Sequence, residues 1–201
     1  FAAVPIDMEE DGIDFLIASA NKCLEGVPGF AFVVVEDDAL KQCKDQGRTV
    51  TLDLFEQWQV LESTGQFRFT PPTHVFLACR QALHELANEG GVEGRGRRYK
   101  SNHETLMSGM RRLGFDHYIA EEYQSYVIST FPYPNDPAFD FEKLYVGLAD
   151  AGLVIYPGKI TKAKTFRIGT IGNVFPEDVA RLVEEFERVL NAMGCSTPVN
   201  A

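Results

Sequence analysis

Ile13-Asp14-Phe15-Leu16-Ile17-Ala18-Ser19-Ala20 and Phe30-Ala31-Phe32-Val33-Val34-Val35 are two apolar runs of strand length. Both are too apolar to suit half-exposed strands, so both are expected as buried central strands. Asn21 to Gly29 (NKCLEGVPG) joins them, and its two glycines and one proline demand a tight connection.

Outward from this pair the patterns turn helical. Asp37 to Lys44 suits a short surface helix. After Thr70-Pro71-Pro72-Thr73, the recurrence of Leu77, Leu83 and Leu86 predicts an amphipathic helix over Val75 to Asn88, stopped by Gly90-Gly91. A second helix is expected from Val92 to Leu113, with Leu106, Met110 and Leu113 on one face and Gly114 as its stop. Two adjacent helices of this kind lead from one domain into the next, which places a boundary near residue 93 and divides the chain into 1–93 and 94–201. Beyond it the expected order is strand (Tyr126 to Phe131), helix (Phe139 to Ala151), strand (Leu153 to Tyr156), strand (Thr165 to Ile171) and helix (Pro176 to Met193), a small α/β layer. Proline at the start of the last helix, followed by Glu177 and Asp178, suits its first turn and its dipole. The tail from Cys195 to Ala201 is expected to fray.

A formal net charge of −10 argues against a nucleic-acid or anionic-membrane binder, which would be repelled at long range. It does not argue against a small anion held by one arginine. The four cysteines, Cys23, Cys43, Cys79 and Cys195, form no CxxC pair, which suits a reducing compartment. His74, His84, His103 and His117 lack metal-ligand spacing, so no metal site is expected. No apolar run is long enough to span a bilayer. The opening Phe1-Ala2-Ala3-Val4-Pro5, without methionine, reads like the middle of a protein.

Three residues could carry chemistry. Lys22 stands where an apolar strand ends in a tight turn; an amine held against such strands loses proton affinity, the condition for attack on a carbonyl. The plainer alternative is an ammonium that reaches water. In Thr165-Phe166-Arg167-Ile168-Gly169, alternation puts Phe166 and Ile168 on one face and Arg167 with Gly169 on the other, where the missing side chain leaves room. The guanidinium fork there matches a carboxylate or phosphonate, though a surface ion pair would use the same residue. Thr70, in an extended aromatic stretch before a helix, could bind a phosphate oxygen or cap that helix. The Gly90 to Arg98 run lacks the strand and the ending of a nucleotide loop and is expected as a flexible connection. Glu121-Glu122 is expected as solvated loop.

Together these segments resemble the class V aminotransferases of the fold-type I pyridoxal-phosphate enzymes. The matching stretches are Ser19-Ala20-Asn21-Lys22-Cys23, Gly26-Val27-Pro28-Gly29-Phe30, Leu52-Asp53-Leu54 with Gln57-Trp58, and Arg68-Phe69-Thr70 with Pro72-Thr73-His74. They continue with Val154-Ile155-Tyr156-Pro157-Gly158-Lys159 and Phe166-Arg167-Ile168-Gly169 with Ile171-Gly172. Within the family the likeness is to members that move the amino group of 2-aminoethylphosphonate onto pyruvate, giving phosphonoacetaldehyde and L-alanine. An alanine–glyoxylate or serine–pyruvate type, or a non-catalytic fragment, are the other readings.

The resemblance implies that residues 1–93 are the C-terminal part of the cofactor-binding large domain and 94–201 a small C-terminal α/β domain with its linking helix. It implies that Lys22 is the cofactor-holding catalytic lysine, that Arg167 clamps the substrate anion, and that Thr70 touches the cofactor phosphate from the neighbouring subunit of a cytoplasmic homodimer. It also implies that the acid paired with the pyridine nitrogen, the phosphate loop and the ring-stacking aromatic lie upstream of Phe1, so roughly the first half of a family-length chain is expected to be missing.

Overall fold

In the computed structural model, which describes residues 1–158 and 163–199, the chain divides into two units, Phe1–Glu93 and Gly94–Ala201.

In the first unit, Phe15–Ser19 (β1) pairs antiparallel with Ala31–Val35 (β2) in the register Ile17 to Val33. Three helices follow: Asp37–Gln42 (α1), Leu54–Thr64 (α2) and Thr73–Asn88 (α3). The buried cluster is small, comprising Ala2, Ala20, Leu24, Ala82 and Leu86, with Phe30, Phe32 and Cys79 packed against it. The expectation of fully buried strands fails here. Ile17 is 70% exposed, and Phe15 and Val34 are exposed on opposite faces of the pair. A two-stranded sheet has no neighbours at its outer edges, and the few side chains around it cover its faces only in part.

The helix α2 was not anticipated, although its ends carry ordinary signals. The Asp53 carboxylate accepts the Glu56 N–H at 3.1 Å, and Gly65 closes the helix in the left-handed conformation at φ 67°.

The second unit takes over within the helix Gly91–Arg112 (α4). Ile128–Pro132 (β3), Tyr156–Pro157 (β4) and Thr165–Gly169 (β5) form an antiparallel sheet of order β3-β5-β4, so β5 is central. Phe141–Asp150 (α5) starts on Asp140, whose carboxylate accepts the N–H groups of Glu142 and Lys143. Pro176–Met193 (α6) has the bounds expected from its proline and acids.

Phe131 of β3 and Phe166 and Ile168 of β5 point into one core with Leu106 and Met110 of α4, Leu144 and Leu148 of α5, and Phe186 and Leu190 of α6. Close helix approach needs glycine at two points. A Cβ on Gly109 would lie 2.6 Å from a Val183 methyl, and one on Gly147 would lie 2.9 Å from a methyl of Val189.

Three local expectations are corrected. The stretch from Gly91 to Arg98 is not a flexible connection but the opening turns of α4, with Gly94, Arg95 and Gly96 buried. The strand expected over Leu153 to Tyr156 shrinks to β4, because Ile155 is drawn into the core ahead of the pairing. The tail does not fray through residue 199. Cys195 and Val199 are buried, and the Val199 N–H donates to the Leu113 carbonyl at 2.9 Å. Glu121 and Glu122 are exposed in a short 3-10 turn.

Candidate active site

The connection after β1 is held by its own backbone. The Gly26 N–H donates to the Ala20 carbonyl and the Glu25 N–H to the Lys22 carbonyl, each at 2.8 Å. Glu25 adopts φ 63°, and a Cβ on Gly26 would lie 2.8 Å from the Ala20 oxygen, so a side chain there would force the turn open. Lys22 is therefore carried on a defined turn whose ends are pinned. Its side chain is exposed, however, which corrects the expectation of an amine buried against apolar strands. The turn anchors itself in the small cluster through Ala20 and Leu24, while Lys22 between them faces outward.

Thr70 lies in the irregular stretch before α3, just after bends at Arg68 and Phe69, and is exposed. It does not cap that helix, whose N-cap is Pro72 without a side-chain hydrogen bond. It lines a cavity of about 540 Å³ together with Arg68, Trp58 and the rings of Phe30, Phe32 and Phe76. The Arg68 guanidinium lies over the Phe69 ring at 5.4 Å, and its Nη1 is buried without a hydrogen-bond partner. Across those bends, Arg68 and Thr70 line the same cavity. An unpaired guanidinium N–H beside a threonine hydroxyl is the donor set of a phosphate cradle. Sequence reasoning passed over Arg68; it is the lining of the cavity, and no local sequence pattern, that associates it with Thr70. Lys22 is not among the residues lining this cavity.

Arg167 occupies the middle of β5, in the second unit. Its strand neighbours Phe166 and Ile168 are buried on the core face, and Arg167 is half-buried on the other. The open space expected beside Gly169 is present, since a Cβ built there would meet nothing within 4 Å. Among the described residues Arg167 makes no ion pair, and its Nε donates to the Pro157 carbonyl at 3.4 Å. Thr130 and Tyr156 stand directly opposite Arg167 on the two flanking strands, bringing two hydroxyl-bearing residues to the same face. Neither was picked out from the sequence, because only the pairing register brings them to position 167. Lys159, at the end of one motif stretch, lies outside the described residues.

Comparison with known proteins places these features in context. The chain is 53% identical over 190 residues to a 2-aminoethylphosphonate–pyruvate transaminase of Phocaeicola vulgatus, covering 94% of this chain and 52% of that protein. It is 54% identical over 185 residues to the Bacteroides fragilis protein of the same name, covering 92% of this chain and 51% of the relative. The chain thus spans about half the length of the curated relatives it matches. In fold it is similar to pyridoxamine–pyruvate aminotransferase from Mesorhizobium loti, with a TM-score of 0.86 at 20% identity over 97% of this chain and 51% of that one. It is similarly close to ureidoglycine–glyoxylate aminotransferase from Bacillus subtilis, with a TM-score of 0.83 at 20% identity over 97% and 51% of the two chains. The family model for Aminotransferase class-V matches residues 1–161. The chain belongs to the class-V aminotransferase family.

Proposed function

We propose that the intact protein transfers the amino group of 2-aminoethylphosphonate to pyruvate with pyridoxal phosphate as cofactor, yielding phosphonoacetaldehyde and L-alanine. The observation that carries this reading is identity above 50% with transaminases of that name over more than nine-tenths of the chain, with Lys22 and Arg167 inside the matched stretch. The units 1–93 and 94–201 are then the end of the cofactor-binding domain and the small domain that follows it.

Pyridoxal phosphate, when bound, supplies an aldehyde that takes up the substrate amine and a ring that accepts the electron pair left by a departing proton. The residues here suit such a group: an accessible amine on a pinned turn at Lys22, and a hydroxyl with an unpaired guanidinium N–H at Thr70 and Arg68. In this reading Lys22 holds the cofactor through Nζ and, once released, removes the proton from the carbon that bears the substrate amine. Thr70 contacts the phosphate of the cofactor in the neighbouring subunit of a homodimer. Arg167 grips phosphonate in one half of the cycle and carboxylate in the other, which its two parallel N–H donors permit. Desolvation of Lys22 has to come from residues that cover the exposed face of β1. The four cysteines carry no disulfide, which supports a cytoplasmic setting. Among the described residues no helix is long and apolar enough to cross a membrane.

The test is turnover by the intact protein with 2-aminoethylphosphonate and pyruvate, set against serine or alanine with glyoxylate. Lys22→Ala should abolish both turnover and the visible absorbance of the lysine-bound cofactor while the fold survives. Preference for serine or alanine would replace the substrate assignment, and cofactor absorbance that persists in Lys22→Ala would remove the lysine from its role.

A further inference from the structure

The backbone that follows Arg167 is held on one side by the Tyr126 and Val127 carbonyls, which accept from Thr170 at 3.0 and 3.2 Å, and on the other by one face of α4. Asn102 is fully buried, and its Nδ2 donates to two carbonyls, that of Thr170 at 3.1 Å and that of Val174 at 2.9 Å. One turn earlier, Arg98 donates through Nη1 to the carbonyls of Gly172 at 2.6 Å and Val174 at 2.9 Å. The Tyr99 hydroxyl, on a fully buried ring, accepts the Gly172 N–H at 3.1 Å. Positions 98, 99 and 102 fall on one helical face, and together they engage the carbonyls of Thr170, Gly172 and Val174 and the Gly172 N–H in the turn by which β5 leaves the sheet. Beyond Thr170 the turn closes on itself through the Val174 N–H, which donates to the Gly172 carbonyl at 2.7 Å, so past residue 170 α4 supplies most of its support. Gly169 offers no side chain, Gly172 sits at φ 95°, and sheet pairing ends at Gly169 on the β3 side and covers only two residues on the β4 side. An asparagine whose two donors are both spent on backbone carbonyls, at the cost of a buried Oδ1 without a partner, is placed there for geometry rather than for burial.

We infer that Asn102, with Tyr99 and Arg98, forms a positioning clamp that sets the register and twist of β5 and thereby the direction in which Arg167 presents its fork to the substrate anion. The inference rests on the assignment of Arg167 as the anion-binding residue. A bidentate grip is sensitive to small rotations of the strand that carries it, because both N–H donors must line up at once. The clamp touches neither substrate nor cofactor; it acts through Arg167. Loosening it therefore weakens anion capture in both halves of the cycle by the same factor and leaves the proton transfer at Lys22 alone.

The experiment uses the intact, cofactor-loaded protein and reads the dissociation constant of phosphonoacetate by calorimetry. It also reads KM and kcat for 2-aminoethylphosphonate and pyruvate, with the melting temperature and cofactor absorbance recorded for every variant. Asn102→Ala is expected to weaken phosphonoacetate binding about tenfold and to raise both KM values by a similar factor, with kcat changed less than about twofold. Tyr99→Phe, which removes one hydroxyl and keeps the ring, is expected to give a smaller change of the same pattern. It also carries the test if Asn102→Ala does not fold. Arg167→Lys separates this inference from the reading beneath it. If Arg167→Lys loses phosphonoacetate while the folded clamp variants bind it as the parent does, the clamp is overturned and the anion assignment stands. If Arg167→Lys binds as tightly as the parent, the anion assignment falls and the clamp with it. A fall in kcat and cofactor absorbance with unchanged KM would mark Asn102 as a general support of the fold and would equally overturn the clamp.

Discussion

Phe166 in the second unit and Ile17 in the first are both apolar strand residues, yet their surroundings differ. Phe166 is fully buried, with the rings of Phe115, Phe131 and Phe186 centred 5.7, 5.5 and 5.6 Å away. Ile17 is 70% exposed on a strand pair whose own cluster amounts to Leu24, Leu86 and three alanines. The second unit encloses its core with its own helices α5 and α6 and the end of α4. The first spends equally apolar sequence on surfaces that these residues do not cover. An apolar strand therefore states what it requires, namely removal from water, and not who provides the cover.

The largest test of this contrast replaces one residue in each unit. Phe166→Ala should cost about 3–5 kcal/mol in chemical denaturation, since it empties a fully enclosed site. Ile17→Ala in the same chain should cost about 0.5 kcal/mol or less, as exposed substitutions do. Comparable losses at both positions would erase the difference between the units.

A middle-sized effect is expected at two helix starts that use the same device. Asp140→Ala removes the carboxylate that accepts two N–H groups at the start of α5, and Asp53→Ala removes the one that accepts a single N–H at the start of α2. Each should cost about 1 kcal/mol. In the second unit the loss should appear in the cooperative transition, because α5 is locked into the core through Leu144 and Leu148. At α2, which buries only Phe55, it should appear as faster amide exchange over Leu54–Thr64. Amide exchange confined to α5 in Asp140→Ala would contradict the closed-core description.

The smallest effect concerns pH. His103 of α4 lies within 3.2 Å of the Ser129 hydroxyl, and burial, reinforced by His117 and Arg111 and opposed by Glu104, holds its pKa below the ordinary histidine value. A histidine kept neutral by the fold binds protons less readily than in the unfolded chain. Its contribution to stability is therefore complete above the unfolded value of about 6.5 and is lost as pH falls through the lowered folded value. Calorimetric melting between neutral and mildly acidic pH should show a decline that His103→Gln reduces; an unchanged slope would remove His103 from the account.

Much of the local structure was legible. Pro176 with its two acids marked the start of α6, Gly90-Gly91 marked the end of α3, and alternation around Arg167 separated the core face of β5 from the face beside Gly169. These signals act within one helical turn or one strand repeat, so a single sequence holds them whole. The helix α2 was equally marked by Asp53, Glu56 and Gly65 and was overlooked.

What the sequence determined by itself was the set of elements, the glycine-closed turn that carries Lys22, and the family motifs along the chain. What only the tertiary structure decided was cover and alignment. Lys22 and Ile17 are exposed because none of the described residues closes over them, and Thr130 and Tyr156 stand beside Arg167 because of strand register. Asn102 meets Thr170 and Val174 across 68 and 72 residues of chain. Burial and register are properties of neighbours brought from far along the chain, and local patterns name the need for such neighbours without identifying them.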